Sequence, residues 1–156
     1  MKTIILYATK HGATQEAARR ISDRIEGSEI HDLKQENVPE IADYDCIILG
    51  SSIYASRIRK DAKEFLSQNA ETLKEKNLGL FLCGMEGEQE KEFFKINFPN
   101  DILDSARATC FLGGIFDPEK ASALDRMIMK VVTKKLAYMD TIDNDKIEEF
   151  VKELTS

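Results

Sequence analysis

The sequence predicts a doubly wound α/β fold in one domain covering residues 1–156, with five parallel strands in the order 2-1-3-4-5. Segments typical of strands alternate along the chain with segments of helical periodicity. The strongest strand segments are apolar at almost every position, which is typical of parallel strands buried on both faces. A chain of 156 residues is also long enough to bury a continuous core in one domain.

The first half of the chain contains three predicted strands and two predicted helices. The first strand covers residues 2–8, and a weaker second strand covers residues 30–33. The helix between them is predicted to end at Gly27, where a left-handed residue closes it, and to bury one face formed by Ala17, Ala18, Ile21 and Ile25. The third strand covers residues 44–50, and an amphipathic helix follows over residues 60–75.

The second half contains two predicted strands, over residues 78–84 and 109–115, separated by a short helix over residues 88–97. A helix over residues 120–134 carries apolar side chains at helical spacing, namely Leu124, Met127, Ile128, Val131 and Val132. We expect its cluster of Met127, Ile128 and Met129 to join the core; a dimer face or a membrane-proximal face is the alternative. The last helix buries Ile147, Phe150, Val151 and Leu154.

Charge and hydropathy exclude several classes of function. The formal net charge is −6 and the sequence pI is about 5.1, which argues against binding to nucleic acid or to anionic membranes. An acidic surface is compatible with docking onto a basic redox partner. No stretch approaches a transmembrane span, and the apolar run at the N-terminus is too short for a signal peptide, so we expect a cytoplasmic protein. The sequence makes no prediction about the oligomeric state.

The three cysteines are predicted to be buried thiols. Cys46, Cys83 and Cys110 lie far apart in apolar segments, and no CxxC pair occurs. This pattern predicts neither a disulfide framework nor a metal site. Cys83, at the end of a predicted strand, is the one that could face a cofactor.

The loop after the first strand has the features of a phosphate site. In open α/β sheets the ligand lies beyond the carboxyl ends of the strands, here between the first and third strands. The loop leads directly into a helix, whose first N–H groups and positive dipole end attract an anion. Its glycine allows close backbone approach and its two threonines offer hydroxyl donors. We therefore predict ligand contacts from Thr9, Lys10, His11, Gly12, Ala13 and Thr14. A plain turn with Thr14 as helix cap is the alternative.

Other nucleotide and phosphate motifs are absent. The sequence contains no GxxxxGK[ST] and no GxGxxG, so neither a P-loop nor a dinucleotide fingerprint is present. A phosphate-accepting receiver domain needs acidic residues after the first strand and an aspartate at the end of the third. The chain instead has Thr9-Lys10-His11 and Gly50-Ser51 at these places.

The loops after the third and fourth strands complete the predicted site. Small residues and a flat apolar wall follow the third strand, and glycines follow the fourth. From these loops we predict contacts with a planar ring by Ser51, Ser52, Ile53, Tyr54, Cys83, Gly84, Met85 and Gly87. Packing of Tyr54 on neighbouring loops is the alternative. Arg57, Arg59 and Lys60 are either solvated charges or contacts for a substrate carboxylate or an acidic partner.

These loops resemble those of the flavodoxin family, and the resemblance covers essentially the whole chain. The hydroxyl-rich loop with Thr9, Gly12 and Thr14 is its most specific part. The segments 1–9, 50–54 and 125–130 are more closely similar to the branch that includes menaquinone-dependent protoporphyrinogen oxidase. The resemblance implies a flavodoxin-like three-layer sandwich, non-covalently bound FMN and a redox role.

Three functions remain open at this point. The favoured one is electron transfer through FMN to a redox partner protein, which needs no general acid or base. The second is an FMN-dependent oxidoreductase in which Arg57, Arg59 or His11 positions a substrate carboxylate or shuttles protons. The third is a flavin-free interaction module with the same fold. No catalytic residue is assigned.

Overall fold

The computed structural model of the protein describes residues 1–35, 37–133 and 137–156, with the backbone alone for residues 132 and 133. The strands are β1 (Thr3–Ala8), β2 (Glu29–Asp32), β3 (Cys46–Tyr54), β4 (Arg57–Ile58), β5 (Asn77–Cys83), β6 (Ala106–Phe111), β7 (Ile115–Phe116) and β8 (Met139–Asp140). The helices are α1 (Ala13–Ser22), α2 (Lys60–Lys74), α3 (Glu90–Asn97), α4 (Asn100–Ser105), α5 (Ala123–Thr133) and α6 (Asn144–Thr155).

The main sheet has its parallel strands in the order β2-β1-β3-β5-β6. Counted among the parallel strands alone, this is the order 2-1-3-4-5, so the predicted fold class is confirmed. Strand β4 folds back on β3 as an antiparallel hairpin, with Ile53 opposite Ile58. Strands β7 and β8 form a separate antiparallel pair. The short strands β4, β7 and β8 and the helix α4 were not predicted.

The core lies on both faces of the sheet. Alternate strand residues such as Ile4 and Leu49 pack under α2, α3 and α4, whereas Ile5 and Ile48 pack under α1 and α6. This alternation explains why the strands are apolar at every position. Gly50 is required by the same packing, because a Cβ there would lie 2.0 Å from Cζ of Phe81.

Several predicted boundaries were wrong. Helix α1 ends at Ser22 rather than at Gly27, because the next N–H groups bond three residues back and form tight turns. Gly27, at φ 75°, closes these turns instead. The third strand continues to Tyr54 because its end pairs with β4. The last parallel strand covers residues 106–111 rather than 109–115, because it pairs with β5 from Leu78 to Leu82.

The expectation that the apolar cluster of α5 joins the core is wrong for most of its residues. Met129 is buried, and so is most of the Asp125 side chain, which lies one helical turn before it. This side of α5 therefore faces the protein. The opposite side, which we call the α5 stripe, is exposed and consists of Leu124, Met127, Ile128 and Val131. The side chain of Val132 and residue 134, both included in the prediction, lie outside the described residues.

Among the described residues, no helix combines the length and the apolar character that crossing a membrane requires.

Candidate functional site

The candidate site is a pocket of about 500 Å³ beyond the carboxyl ends of β1, β3 and β5. This is the crevice where open α/β sheets bind their ligands. Its walls come from the loop after β1, the β3–β4 hairpin, the loop after β5, helix α3, strand β7 and helix α5. The first three of these segments were predicted to form the site, and the last three were not.

The loop after β1 is shaped to leave the start of α1 open. Gly12 adopts φ 93°, and its N–H donates to the Thr9 hydroxyl oxygen at 2.9 Å. Its carbonyl accepts from the N–H of Glu16 at 3.1 Å. The first N–H groups of a helix have no partner within the helix, and no described side chain caps those of α1. They are therefore available to an anion, and Ala13 at the start of α1 lines the pocket.

Thr14 and Ser52 carry buried hydroxyls without a hydrogen-bond partner among the described residues. Thr14 is fully buried and its hydroxyl faces the Cys83 thiol without making a hydrogen bond of normal geometry. Ser52 lines the pocket. Buried hydroxyls are normally paired, so the Ser52 hydroxyl is open to a polar ligand in the pocket.

Two basic side chains of the loop pair with a carboxylate of α5. The Asp125 Oδ2 atom lies 2.8 Å from His11 Nε2 and 3.2 Å from Lys10 Nζ. Lys10 Nζ also lies 3.6 Å from the centroid of the Tyr54 ring, a cation–π contact. Burial raises the pKa of Asp125, but hydrogen bonds from His11 and Lys10 outweigh it and the pKa is lowered, so Asp125 is anionic at neutral pH.

Ile53 and Tyr54, the last residues of β3, line the pocket. A two-residue turn connects them to β4. The turn residues Ala55 and Ser56 have φ 50° and 66°, the left-handed region. Asn97 at the end of α3 holds the hairpin: its Nδ2 donates to the Ser56 carbonyl at 2.9 Å, and its Oδ1 accepts from the N–H of Ile58 at 3.0 Å.

The loop after β5 contributes Cys83, Gly84, Met85 and Glu86 to the pocket wall. Burial raises the pKa of the Cys83 thiol to about 12, so it stays protonated at neutral pH. Gly87 lies outside the wall, because it packs against Phe111: a Cβ there would lie 3.0 Å from the ring.

Most predicted site residues converge on one pocket. Those that line it are Thr9, Lys10, His11, Ala13, Ser52, Ile53, Tyr54, Cys83, Gly84 and Met85. Four do not: Thr14 is buried, Gly87 packs on Phe111, Gly12 faces a second cavity of about 440 Å³ between β2 and α1, and Ser51 is hydrogen-bonded within the hairpin.

The pocket has a further wall that sequence reasoning missed, formed by Gly114, Ile115, Phe116, Asp125, Ile128 and Met129. The pair Gly113-Gly114 could have indicated this wall from the sequence, because glycines at the end of a strand often mark a place where a ligand or another backbone segment approaches closely. Asp125 gave no such signal, since its contacts reach back more than a hundred residues to the loop after β1. Among the described residues, no cluster of His, Cys, Asp and Glu could hold a metal ion.

These groups fit FMN, the cofactor that the resemblance implies. Open N–H groups at a helix start and two basic side chains suit a phosphate. Ile53 and the aromatic ring of Tyr54 suit a flat ring system. The unpaired hydroxyl of Ser52 suits polar atoms of the ligand.

Comparisons with known proteins agree with this geometry. A family model described as a flavodoxin domain matches residues 4–143. A flavodoxin of Streptococcus pneumonia is 15% identical with a TM-score of 0.59, and the match covers 99% of this chain and 97% of that one. Oxidised flavodoxin 1 of Bacillus cereus is 17% identical with a TM-score of 0.56 and the same coverage.

A third solved structure contains a ligand. The flavoprotein of Lactobacillus acidophilus in complex with FMN is 16% identical with a TM-score of 0.53, and the match covers 70% of this chain and 92% of that one. Similarity at these identities establishes the fold alone. No curated protein sequence matches significantly.

Proposed function

Because this chain belongs to the flavodoxin domain family, we propose that it binds FMN non-covalently in the pocket and transfers electrons to a partner protein. The observation that carries the proposal is the uncapped start of α1, which adjoins an apolar pocket at the switch point of the sheet. Bound FMN would supply the redox chemistry, accepting electrons from a donor and releasing them to an acceptor.

Different residues of the pocket would bind the phosphate and the ring of FMN. The N–H groups at the start of α1, with Lys10 and His11, would hold the phosphate. Ile53 and Tyr54 would pack against the ring, and the backbone at Gly84 would approach its edge. The exposed Glu86 beside the pocket would disfavour extra negative charge on the ring.

The visible absorption spectrum tests FMN binding directly. Purified protein is mixed with FMN, freed of excess ligand and scanned, and we expect flavin bands to remain with the protein. The variant Ala13→Glu places a carboxylate in the first turn of α1, where it suits the helix but repels a phosphate. We expect it to weaken FMN binding by about tenfold or more, which is about 1.4 kcal/mol.

Two controls make this test specific. Ala13→Gln adds a side chain of similar size without the charge and should keep most of the affinity for FMN. Riboflavin has the same ring without the phosphate, so Ala13→Glu should weaken its binding far less. Wild-type protein that retains no flavin at high FMN would contradict the proposal and favour the flavin-free interaction module.

A second candidate is an FMN-dependent oxidoreductase of the protoporphyrinogen-oxidase type. The observation in its favour is the apolar wall of Phe116, Ile128 and Met129, which gives the pocket a further surface for a substrate. Purified protein loaded with FMN is incubated with protoporphyrinogen and a quinone, and porphyrin fluorescence is followed. An electron carrier without its own substrate gives no rate above that of free FMN.

The partner and the location are parts of the same proposal. The net charge of −6 favours a donor or acceptor with a basic docking surface. The cytoplasmic location, expected from the sequence, is tested by fractionating cells that express the tagged chain.

A further inference from the structure

Helix α5 is tied to the loop after β1 by one carboxylate. Asp125 contacts His11 Nε2 at 2.8 Å through Oδ2, and its Oδ1 accepts from Lys10 Nζ at 3.3 Å. The Asp125 side chain is only 12% exposed, and its N–H donates to the Ser122 hydroxyl at 3.1 Å. The carboxylate is therefore largely shielded from solvent, while the side chains of Lys10 and His11 are 27% and 35% exposed.

Few of the described apolar side chains of α5 are buried. Of its described apolar side chains, Met129 is buried, whereas Leu124 is 51% exposed and Val131 is 74% exposed. A helix in a protein is held mainly by burying an apolar face. Among the described residues of α5, the contacts of Asp125 with Lys10 and His11 are therefore a main attachment of the helix to the loop after β1.

Asp125 engages the groups that the FMN phosphate would use. Lys10 and His11 are the basic side chains of the predicted phosphate loop, and both are paired with Asp125. A phosphate monoester carries about −1.5 to −2 charges near neutral pH, more than a carboxylate. Two anions a few ångströms apart at a partly buried site repel each other, so both cannot bind Lys10 and His11 at full strength.

The Lys10 ammonium group that pairs with Asp125 also lies over the Tyr54 ring. Lys10 Nζ stands 3.6 Å from the ring centroid while it is paired with Asp125. A flavin ring stacking on the pocket side of Tyr54 would need this ammonium group to move. Phosphate and ring would thus both draw Lys10 away from its present position.

We propose that Asp125 is an internal competitor of the FMN phosphate: it pairs with Lys10 and His11, and FMN binding displaces it and releases α5. The proposal rests on the proposed function, because it assumes that FMN binds at this loop. Asp125 therefore lowers the affinity for FMN and couples occupancy of the pocket to the position of the exposed α5 stripe.

The test is the variant Asp125→Asn, which keeps the shape of the side chain and removes its charge. Dissociation constants for FMN and riboflavin are measured by quenching of flavin fluorescence. We expect the variant to bind FMN about three- to tenfold more tightly than wild type, with a smaller gain for riboflavin. Glu119→Gln, an exposed residue before α5, removes the same charge away from the loop and should leave the FMN affinity unchanged.

A second readout needs no affinity measurement. Brief trypsin digestion is followed by mass spectrometry of cleavage after Arg126 and Lys130, both exposed in α5. We expect FMN to accelerate this cleavage in wild type, and Asp125→Asn to be cleaved quickly already without FMN.

The outcomes separate the two proposals. Equal or weaker FMN binding by Asp125→Asn, or cleavage that FMN slows in wild type, overturns the competition and leaves FMN binding standing. Wild-type protein that binds no FMN overturns the proposed function, and the competition with it.

Discussion

Ser51 was predicted to contact a ligand, and the structure gives its hydroxyl a structural use. The side chain is buried; it accepts from the N–H of Arg59 and donates to the carbonyl of Ser52, both at 2.9 Å. The hydroxyl thereby joins the end of β3 to the start of α2. Its role is to fix the hairpin that carries Tyr54, so its effect on ligand binding would be indirect.

We therefore expect Ser51→Ala to destabilise the protein. The substitution leaves the N–H of Arg59 without its partner in a partly buried place, which costs about 1–3 kcal/mol. Urea unfolding followed by circular dichroism measures the difference. Ser67→Ala, at an exposed position in α2, is the matched control and should change stability by less than about 0.5 kcal/mol. Equal effects of the two substitutions would contradict this role of Ser51.

At the level of single residues, sequence reasoning identified groups whose neighbours in the chain explain their role. Gly12 and Thr9 belong to one turn, and a strand followed by a glycine and a helix start predicts that turn. Asp125 could not be found in this way, since its role arises only when α5 reaches the loop after β1. Thr14 was predicted to contact the ligand, but it is buried in α1 and does not line the pocket, because the direction of its side chain depends on how α1 packs.

The β3–β4 hairpin contains a turn that its residues do not favour. Ala55 and Ser56 both adopt left-handed conformations, which two-residue hairpin turns require and which asparagine and glycine adopt most easily. The strain lies at the edge of the pocket, where such conformations often serve function.

The double variant Ala55→Asn, Ser56→Gly is expected to stabilise the protein by about 1–2 kcal/mol, because it relieves this strain. Thermal and urea unfolding measure the gain. The backbone carbonyl at position 56 still accepts from Asn97, so the hairpin stays attached to α3. Ala70→Asn, in the regular helix α2, is the control and should bring no gain. A loss of stability in the double variant would show that the turn residues make contacts more important than the strain.

Helix α1 carries an ionic network that makes its contribution depend on pH. Glu16 Oε1 lies 2.7 Å from Arg19 Nη2 and 3.0 Å from Arg20 Nε, and Arg20 Nη2 reaches Asp140 Oδ2 at 2.7 Å. The hydrogen bond from Arg19 is the main cause that lowers the pKa of Glu16 from 4.5 to about 2, and Arg20 adds to it.

The folded state therefore holds the Glu16 proton less tightly than the unfolded chain. The resulting stabilisation is complete above the unfolded pKa of 4.5 and is lost as the pH falls toward 2. We expect Glu16→Gln to lose less stability than wild type between about pH 6 and about pH 3, measured by urea unfolding. Glu26→Gln, an exposed neighbour, should retain the wild-type pH dependence.

At the level of elements, the sequence predicted which segments fold into strands and helices better than where they end. A strand buried on both faces is recognisable from its composition, because nearly every position must be apolar. Its end depends on partners: β3 extends because β4 pairs with it, and β6 starts early because β5 lies beside it. The prediction that the apolar side chains of α5 join the core was wrong for the α5 stripe. Helical spacing shows that a helix is amphipathic, but it does not show which side faces the core.

The sheet order was predictable for the whole molecule because alternating strands and helices leave few allowed connections. Electrostatics also acts at this scale. The net charge is −6, and exposed carboxylates follow β5: Glu86 lines the pocket, Glu88 lies in the same loop and Glu92 lies in the first turn of α3. Opposite charges steer two proteins together, and salt screens this attraction.

We expect the FMN-loaded, reduced protein to transfer electrons to cytochrome c, a basic haem protein, faster at low salt than at high salt. The triple variant Glu86→Gln, Glu88→Gln, Glu92→Gln should be slower at low salt and close to wild type at high salt. Stopped-flow absorbance measures the rates. Removing the same number of charges from α2 and its end, at Glu64, Glu71 and Glu75, is the control. Equal slowing by both variants would point to net charge rather than a docking face.

The burial of the cysteines also determines how the protein can be labelled. Cys83 is enclosed, and burial raises the pKa of Cys46 to about 11 and that of Cys110 to about 12, so thiolate is scarce at neutral pH. Alkylating reagents attack thiolates, and the three native thiols should therefore react slowly. A cysteine introduced at the exposed Met127 would then be the fast-reacting one. A dye or spin label could be attached to α5 without first removing the native cysteines.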